Sequence, residues 1–133
     1  MRETTSDRAE DRCEYCQLEA FYFPGSFHVD HIEAYARTKS TELVNLAFAC
    51  PPCNTYKSNK TEAEDPVTGK VVRLFNPRTD DWEKHFAWMD DGVTIEGLTE
   101  IGRATVFQLQ MNDPSMVQQR KMIRLWKEIY PDS

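Results

Sequence analysis

Two Cys-x-x-Cys pairs constrain this chain more than any other feature. Cys13-Glu-Tyr-Cys16 and Cys50-Pro-Pro-Cys53 account for all four cysteines in 133 residues. A C-x-x-C turn aims two thiolates at one point, and two such turns supply the tetrahedral sulfur set that Zn²⁺ prefers. Residues 1–11 are polar, carry both charge signs and hold no apolar stretch, so no secretory signal is expected. The expected compartment is the reducing cytoplasm, where paired cysteines hold metal more often than they form disulfides. With thiolates at all four positions no coordination site stays open, so the zinc is expected to be structural. Its binding would contribute about 10–16 kcal/mol to folding. The 33 residues between Cys16 and Cys50 exceed a zinc-ribbon gap, so a structural element is expected inside the metal loop. Two alternatives use one pair only. A thioredoxin-like site at Cys50-Pro-Pro-Cys53 leaves Cys13 and Cys16 idle. A zinc deaminase needs H-x-E before P-C-x-x-C, but His28-Val-Asp30 ends in Asp and Ala49 precedes Cys50.

Such a staple matters because 15.5 kDa gives only a thin core. Hydrophobic residues at 40% and charged residues at 29% fit a soluble globular chain. No apolar run approaches the roughly 18 residues of a membrane span. A flexible arm is expected over 1–11 and one domain over 12–133, with a metal core at 12–64 and an extension at 65–133. The net charge of −6 speaks against general coating of nucleic acid, but its distribution is uneven. Residues 35–78 carry seven Lys/Arg against four Asp/Glu, while both flanks are acidic. Screening confines fields to about 8–10 Å, so a basic middle can still meet phosphates.

Residue patterns predict strands over 27–32, 44–50 and 71–75, with a turn at Pro24-Gly25 and a polar loop over 33–43, whose first residues could make a helical turn. A short solvated helix is predicted over 54–63, followed by a turn at Asp65-Pro-Val-Thr-Gly69. Strands at 85–89 and 93–98 flank Asp90-Asp91-Gly92, a hairpin turn with Gly where φ > 0 is needed. Thr99 is the predicted N-cap of a helix reaching about 111, with Gly102 its weak point. A last helix opens at Asp113-Pro114-Ser115, with Ser115 and Gln118 at capping-box spacing. Met122, Leu125, Trp126 and Ile129 recur at helical spacing and are expected to face the core.

The metal loop encloses the chemistry. Asp30 and His31 lie on the first strand, Asn45 opens the second, Asn54 follows Cys53, and Lys57 is one helical turn further. Strand, loop, strand and helix, clamped by zinc, would bring these residues to one corner. Asp and Asn offer the hard oxygens that Mg²⁺ takes, and a nearby His can accept a proton from water near neutral pH. Neighbours on a strand point to opposite faces, so Asp30 and His31 converge only if the strand ends or twists there.

Asp30-His31-Ile32, then Asn45-Leu46, then Cys50-Pro-Pro-Cys53-Asn54 and Lys57, with spacings of 14 and 9 from His31 to Asn45 to Asn54, resemble the HNH endonuclease family. The resemblance covers about residues 13–60. Phe75-Asn-Pro-Arg78, Trp82, His85-Phe-Ala-Trp88 and Gly97-Leu-Thr with Gly102-Arg-Ala-Thr105 are similar to a small bacterial HNH subgroup. The chain departs from the family at its last letter, where Asn54 replaces His. The resemblance implies an α+β fold: a zinc-stapled ββα-metal unit extended by a β-hairpin and two C-terminal helices. It implies His31 as general base, and Asp30 and Asn54 holding one Mg²⁺ or Mn²⁺ that polarises the phosphate and stabilises the leaving 3′ oxygen. It further implies that Asn45 orients the His31 ring, through its side chain or carbonyl.

Metal-dependent hydrolysis of DNA is therefore expected, on double strands and with weak sequence specificity; the oligomeric state stays open. Lys57, Lys60, Arg73, Arg78 and Arg103 are the candidate phosphate contacts. His28 and His85 are expected to be structural or exposed, and Trp82, Trp88 and Trp126 to belong to the core. The alternative is a zinc-stabilised nucleic-acid-binding module without catalysis.

Overall fold

The computed structural model describes residues 8–22, 26–33 and 38–131. The predicted Pro24-Gly25 turn, most of the arm at 1–7 and residues 34–37 of the polar loop lie outside the described residues. The described elements are β1 (His28–His31), β2 (Leu46–Ala49), α1 (Pro51–Lys57), β3 (Glu62–Glu64), β4 (Val71–Arg73), α2 (Trp82–His85), β5 (Phe86–Trp88), β6 (Ile95–Gly97), α3 (Glu100–Gln108) and α4 (Pro114–Ile129). Three antiparallel two-stranded sheets alternate with the helices, an α+β fold.

β1 and β2 pair in the register His28↔Ala49 to His31↔Leu46. β2 is apolar throughout and wholly buried, with Phe27 and Phe48 in ring contact at 5.1 Å. The turn after it feeds directly into α1. Pro51 suits the first helical position, where an N–H would have no partner. The helix therefore starts three residues earlier than the pattern predicts and stops at Lys57, because Ser58 turns to φ 53°. The chain then forms β3, which pairs with β4 across the Asp65–Gly69 turn. The predicted 54–63 helix thus divides into the end of a helix and a strand.

β5 and β6 form the expected hairpin, with Gly92 at φ 69°. Thr99 caps α3 by accepting from the Gly102 N–H at 3.0 Å. Gly102 is a close approach rather than a weak point, since a Cβ there would sit 2.0 Å from the His85 carbonyl oxygen. α3 packs on β3, β4 and β6. The cap of α4 is Asp113, whose carboxylate accepts from the Ser115 N–H at 3.1 Å; Ser115 is inside the helix and not its cap.

The inward face of α4 also differs from expectation. Met116, Arg120 and Ile123 are buried, whereas Met122, Leu125, Trp126 and Ile129 are each about half exposed. Both sets recur at helical spacing, so periodicity alone does not select between them. Arg120 is tolerated inside because its Nη groups donate to the carbonyls of Val93 (2.8 Å) and Met111 (2.6 Å). Trp126 packs against Tyr130, ring centroids 4.5 Å apart and tilted by 40°, rather than entering the core. One cluster of buried side chains includes Tyr15, Phe48, Phe75, Phe86, Leu109 and Ile123, joining the cysteine unit to the extension. The Trp82 indole N–H donates to the Tyr15 carbonyl at 2.8 Å across that junction.

Candidate active site and its four-cysteine clamp

The first cysteine turn is held locally. The Cys16 N–H points at Cys13 Sγ at 3.4 Å, and Gln17, at φ 68°, donates its N–H to the Cys13 carbonyl. The second turn is the start of α1, with Cys50 before it and Cys53 inside it. All four cysteines are buried and none is in a disulfide. Their Sγ atoms lie within 4.8 Å of one another, and Cys16 and Cys50 are 3.6 Å apart. Tetrahedral Zn²⁺ with bonds of about 2.3 Å separates its sulfurs by about 3.8 Å, so the donor set and its dimensions fit this ion. Hydrogen bonds from Cys13, then Cys50 and Cys53, hold the Cys16 thiol well below its ordinary value; contacts led by Cys13 push those of Cys50 and Cys53 up. Four crowded sulfurs sharing protons behave this way, and a bound dication deprotonates such thiols.

The residues between the cysteines reach outward. Glu14 accepts from the Phe48 N–H at 3.0 Å, gives its own N–H to the Phe48 carbonyl, and pairs with Arg78. Tyr15 is buried, and its hydroxyl donates to Asp30 Oδ2 at 2.9 Å. From the other side Lys57, 1% exposed at the end of α1, brings its ammonium to 3.1 Å from Asp30 Oδ2 and 3.1 Å from the His31 carbonyl. Asp30 is thus a buried carboxylate with a donor from each cysteine turn's neighbourhood. Burial raises its pKa, and Lys57 and Tyr15 oppose that rise. Burial, then the charge of Asp30, raises the Tyr15 hydroxyl well above its ordinary value and keeps it a donor.

β1 ends at His31, which is half-buried. Asn45 holds the chain just beyond it. Its carbonyl accepts from the Ile32 N–H (2.9 Å), its Oδ1 from the Glu33 N–H (2.9 Å), and its Nδ2 donates to the carbonyls of Glu33 (3.1 Å) and Ser40 (3.0 Å). The Asn45 side chain therefore acts on the loop backbone and not on the imidazole. Asn54 lies on α1 one residue after Cys53; its side-chain amide bonds to no described residue and it is half-buried.

Four of the five candidate phosphate contacts meet carboxylates. Lys57 pairs with Asp30, Arg73 with Asp80 (2.6 and 2.9 Å), Arg78 with Glu14, and Arg103 with Asp65 (3.0 and 2.8 Å). Lys60 is exposed. His28 is exposed, and His85 holds Thr99 Oγ1 at 2.6 Å, a structural position. Sequence reading passed over Tyr15; an aromatic residue between the two cysteines of a metal turn was its only signal.

Two short strands and a helix, clamped at their ends by four cysteines, form a ββα unit. The family model of HNH endonuclease matches residues 13–60, so that segment is similar to an HNH endonuclease domain. The match supports a nuclease-related role and a nucleic-acid partner. No curated protein and no solved structure matches the chain. No helix among the described residues is long and apolar enough to cross a membrane.

Proposed function

We propose that this protein is a metal-dependent endonuclease that hydrolyses DNA phosphodiester bonds in the cytoplasm, acting on double strands with weak sequence specificity. The observation that carries the reading is the tie between clamp and corner: Tyr15 from the first cysteine turn and Lys57 from the helix of the second both end on Asp30, beside His31. Zinc serves as scaffold. His31 takes the proton from the attacking water. Asp30 and Asn54 are the hard-oxygen ligands for one Mg²⁺ or Mn²⁺, which supplies charge stabilisation at the scissile phosphate and the leaving oxygen. The donor types fit such an ion, and the carboxylate is already held against a positive charge; the ammonium of Lys57 must yield for a dication to reach it. Asn45 positions His31 through the loop that follows it.

The closed state of Asp30, with both oxygens engaged, favours one second reading, a nucleic-acid-binding module without catalysis. Incubation of supercoiled plasmid with the zinc-loaded protein separates the two. The nuclease converts it to open-circular or linear DNA only when Mg²⁺ or Mn²⁺ is added. Retardation of the plasmid without strand breaks under every metal supports the binding module instead.

A further inference from the structure

Three cations of the basic middle are paired with carboxylates from outside it, yet positive charge without a carboxylate partner exists elsewhere. A cleft of about 130 Å³ opens between the first cysteine turn, Trp88 and α4, lined among others by Arg12, Arg120, Arg124, Lys127 and Glu19. Lys127 pairs with Glu19. The other three cations are not cancelled. Arg12 is exposed, and its guanidinium bonds to no described residue. Arg120 and Arg124 donate to carbonyl oxygens of Val93, Met111 and Asp91, which satisfy N–H groups without removing charge. Arg120 is 5% exposed, its Nε has no hydrogen-bond partner, and its guanidinium lies 5.7 Å from the Trp88 ring centroid. Asp91, whose carbonyl accepts from Arg124, turns its carboxylate to Thr94 and the Val93 N–H and does not line the cleft. Cys16 does line it, and four thiolates around one dication keep two negative charges; three guanidinium groups outnumber them. With one water occupying about 30 Å³, the volume admits a phosphate group, and the half-exposed Trp88 adds apolar ring surface to the lining.

We propose that this cleft binds a backbone phosphate of duplex DNA, a contact remote from Asp30 and His31 in sequence and made by residues outside the 13–60 match. It rests on the nucleic-acid partner of the preceding section but not on cleavage. Phosphate contacts of this kind fix register and orientation rather than sequence.

The test uses full-length, zinc-loaded protein carrying His31→Ala, so that DNA is bound but not cut. Titration with a short duplex should shift the backbone amide resonances of Gln17, Gly92 and Ile123. The Arg12→Gln, Arg124→Gln pair should lower the slope of log affinity against log salt by about 1, because one phosphate contact fewer releases about one counterion fewer. Unchanged slope and unshifted cleft amides overturn the proposal, as does the absence of duplex binding. Amide shifts with inorganic phosphate but none with duplex overturn the assignment to DNA. A drop in zinc content with an unchanged slope shows that these arginines only compensate the thiolates. Cleavage by the pair in an otherwise wild-type chain at wild-type rate and salt dependence removes the cleft and leaves the nuclease reading; duplex bound at the cleft, with no cleavage by wild type under any metal, does the reverse.

Discussion

Around Asp30 the buried charges meet their opposites, whereas the three guanidinium groups of the α4 cleft have no carboxylate partner among the described residues. Both regions touch the first cysteine turn, one through Tyr15 and the other through Cys16 and Gln17. The difference shows that a run of basic residues does not locate a basic surface. Residues 35–78 carry the sequence's excess of cations, but Asp30, Asp80 and Glu14 claim three of them in space, all from outside that stretch. The acidic C-terminal third supplies Arg120 and Arg124, which keep their charge. An ion pair between residues 27 or 38 positions apart follows from the fold, which brings the partners together, and not from composition.

The comparison breaks most severely if the clamp is removed. Cys13→Ser, or stripping zinc with a strong chelator, should forfeit much of the roughly 10–16 kcal/mol that such an ion contributes. Circular dichroism and Tm should report loss of the cooperative transition; an unchanged Tm after verified metal loss would show that the cluster does not hold the fold.

Next in size is the Asp30 corner itself. Lys57→Met leaves a buried carboxylate without its counter-ion and should cost about 3–5 kcal/mol in denaturant unfolding. Adding Asp30→Asn to that variant should recover part of the loss, a coupling measured by the double-mutant cycle. Added Mg²⁺ should raise the Tm of Lys57→Met more than that of wild type, because the ammonium no longer competes for Asp30. Equal Tm responses would argue that Asp30 does not take the ion.

A close approach inside the extension gives a smaller effect. Gly102→Ala should gain up to about 1 kcal/mol of helix propensity yet lose about 1–3 kcal/mol to overpacking against the His85 carbonyl, a net loss visible as a lower denaturant midpoint. A higher midpoint would show that the close approach is not maintained.

Asp65→Asn tests the neutralised middle and should be the gentlest. Hydrogen bonds from Arg103 hold the Asp65 carboxyl below its ordinary value. A depressed folded-state pKa gives stability that is present above the unfolded value of about 3.9 and is lost as pH falls through the folded one. The Tm gap between wild type and Asp65→Asn should therefore be largest near neutral pH and shrink below about pH 4. A gap independent of pH would assign the effect to packing.

Much of the architecture was legible because it rests on local signals. The C-x-x-C spacing marked the clamp, aromatic and β-branched residues marked β1, a short apolar run marked β2, Asp90-Asp91-Gly92 marked the hairpin, and Thr99 marked a cap. What escaped depends on tertiary partners. The buried stripe of α4 runs through Arg120, whose admission requires carbonyls 9 and 27 residues away, while the more apolar stripe of Met122 to Ile129 was left half exposed. α1 was misplaced because its start is fixed by Cys50-Pro51 geometry and its end by the positive φ of Ser58. In the site, Asp30, Asn45 and Asn54 were picked by type and order. That Asp30 is clasped by Tyr15 and Lys57, and that Asn45 grips the loop rather than the ring, needed coordinates.

The most direct test of the central claim compares strand cleavage by wild type and His31→Ala at equal zinc content and equal Tm. Loss of a general base should lower the Mg²⁺- or Mn²⁺-dependent rate about 10²–10⁴-fold while duplex affinity holds. Cleavage by His31→Ala at the wild-type rate would contradict the account, because the bond would then be broken without the proposed general base.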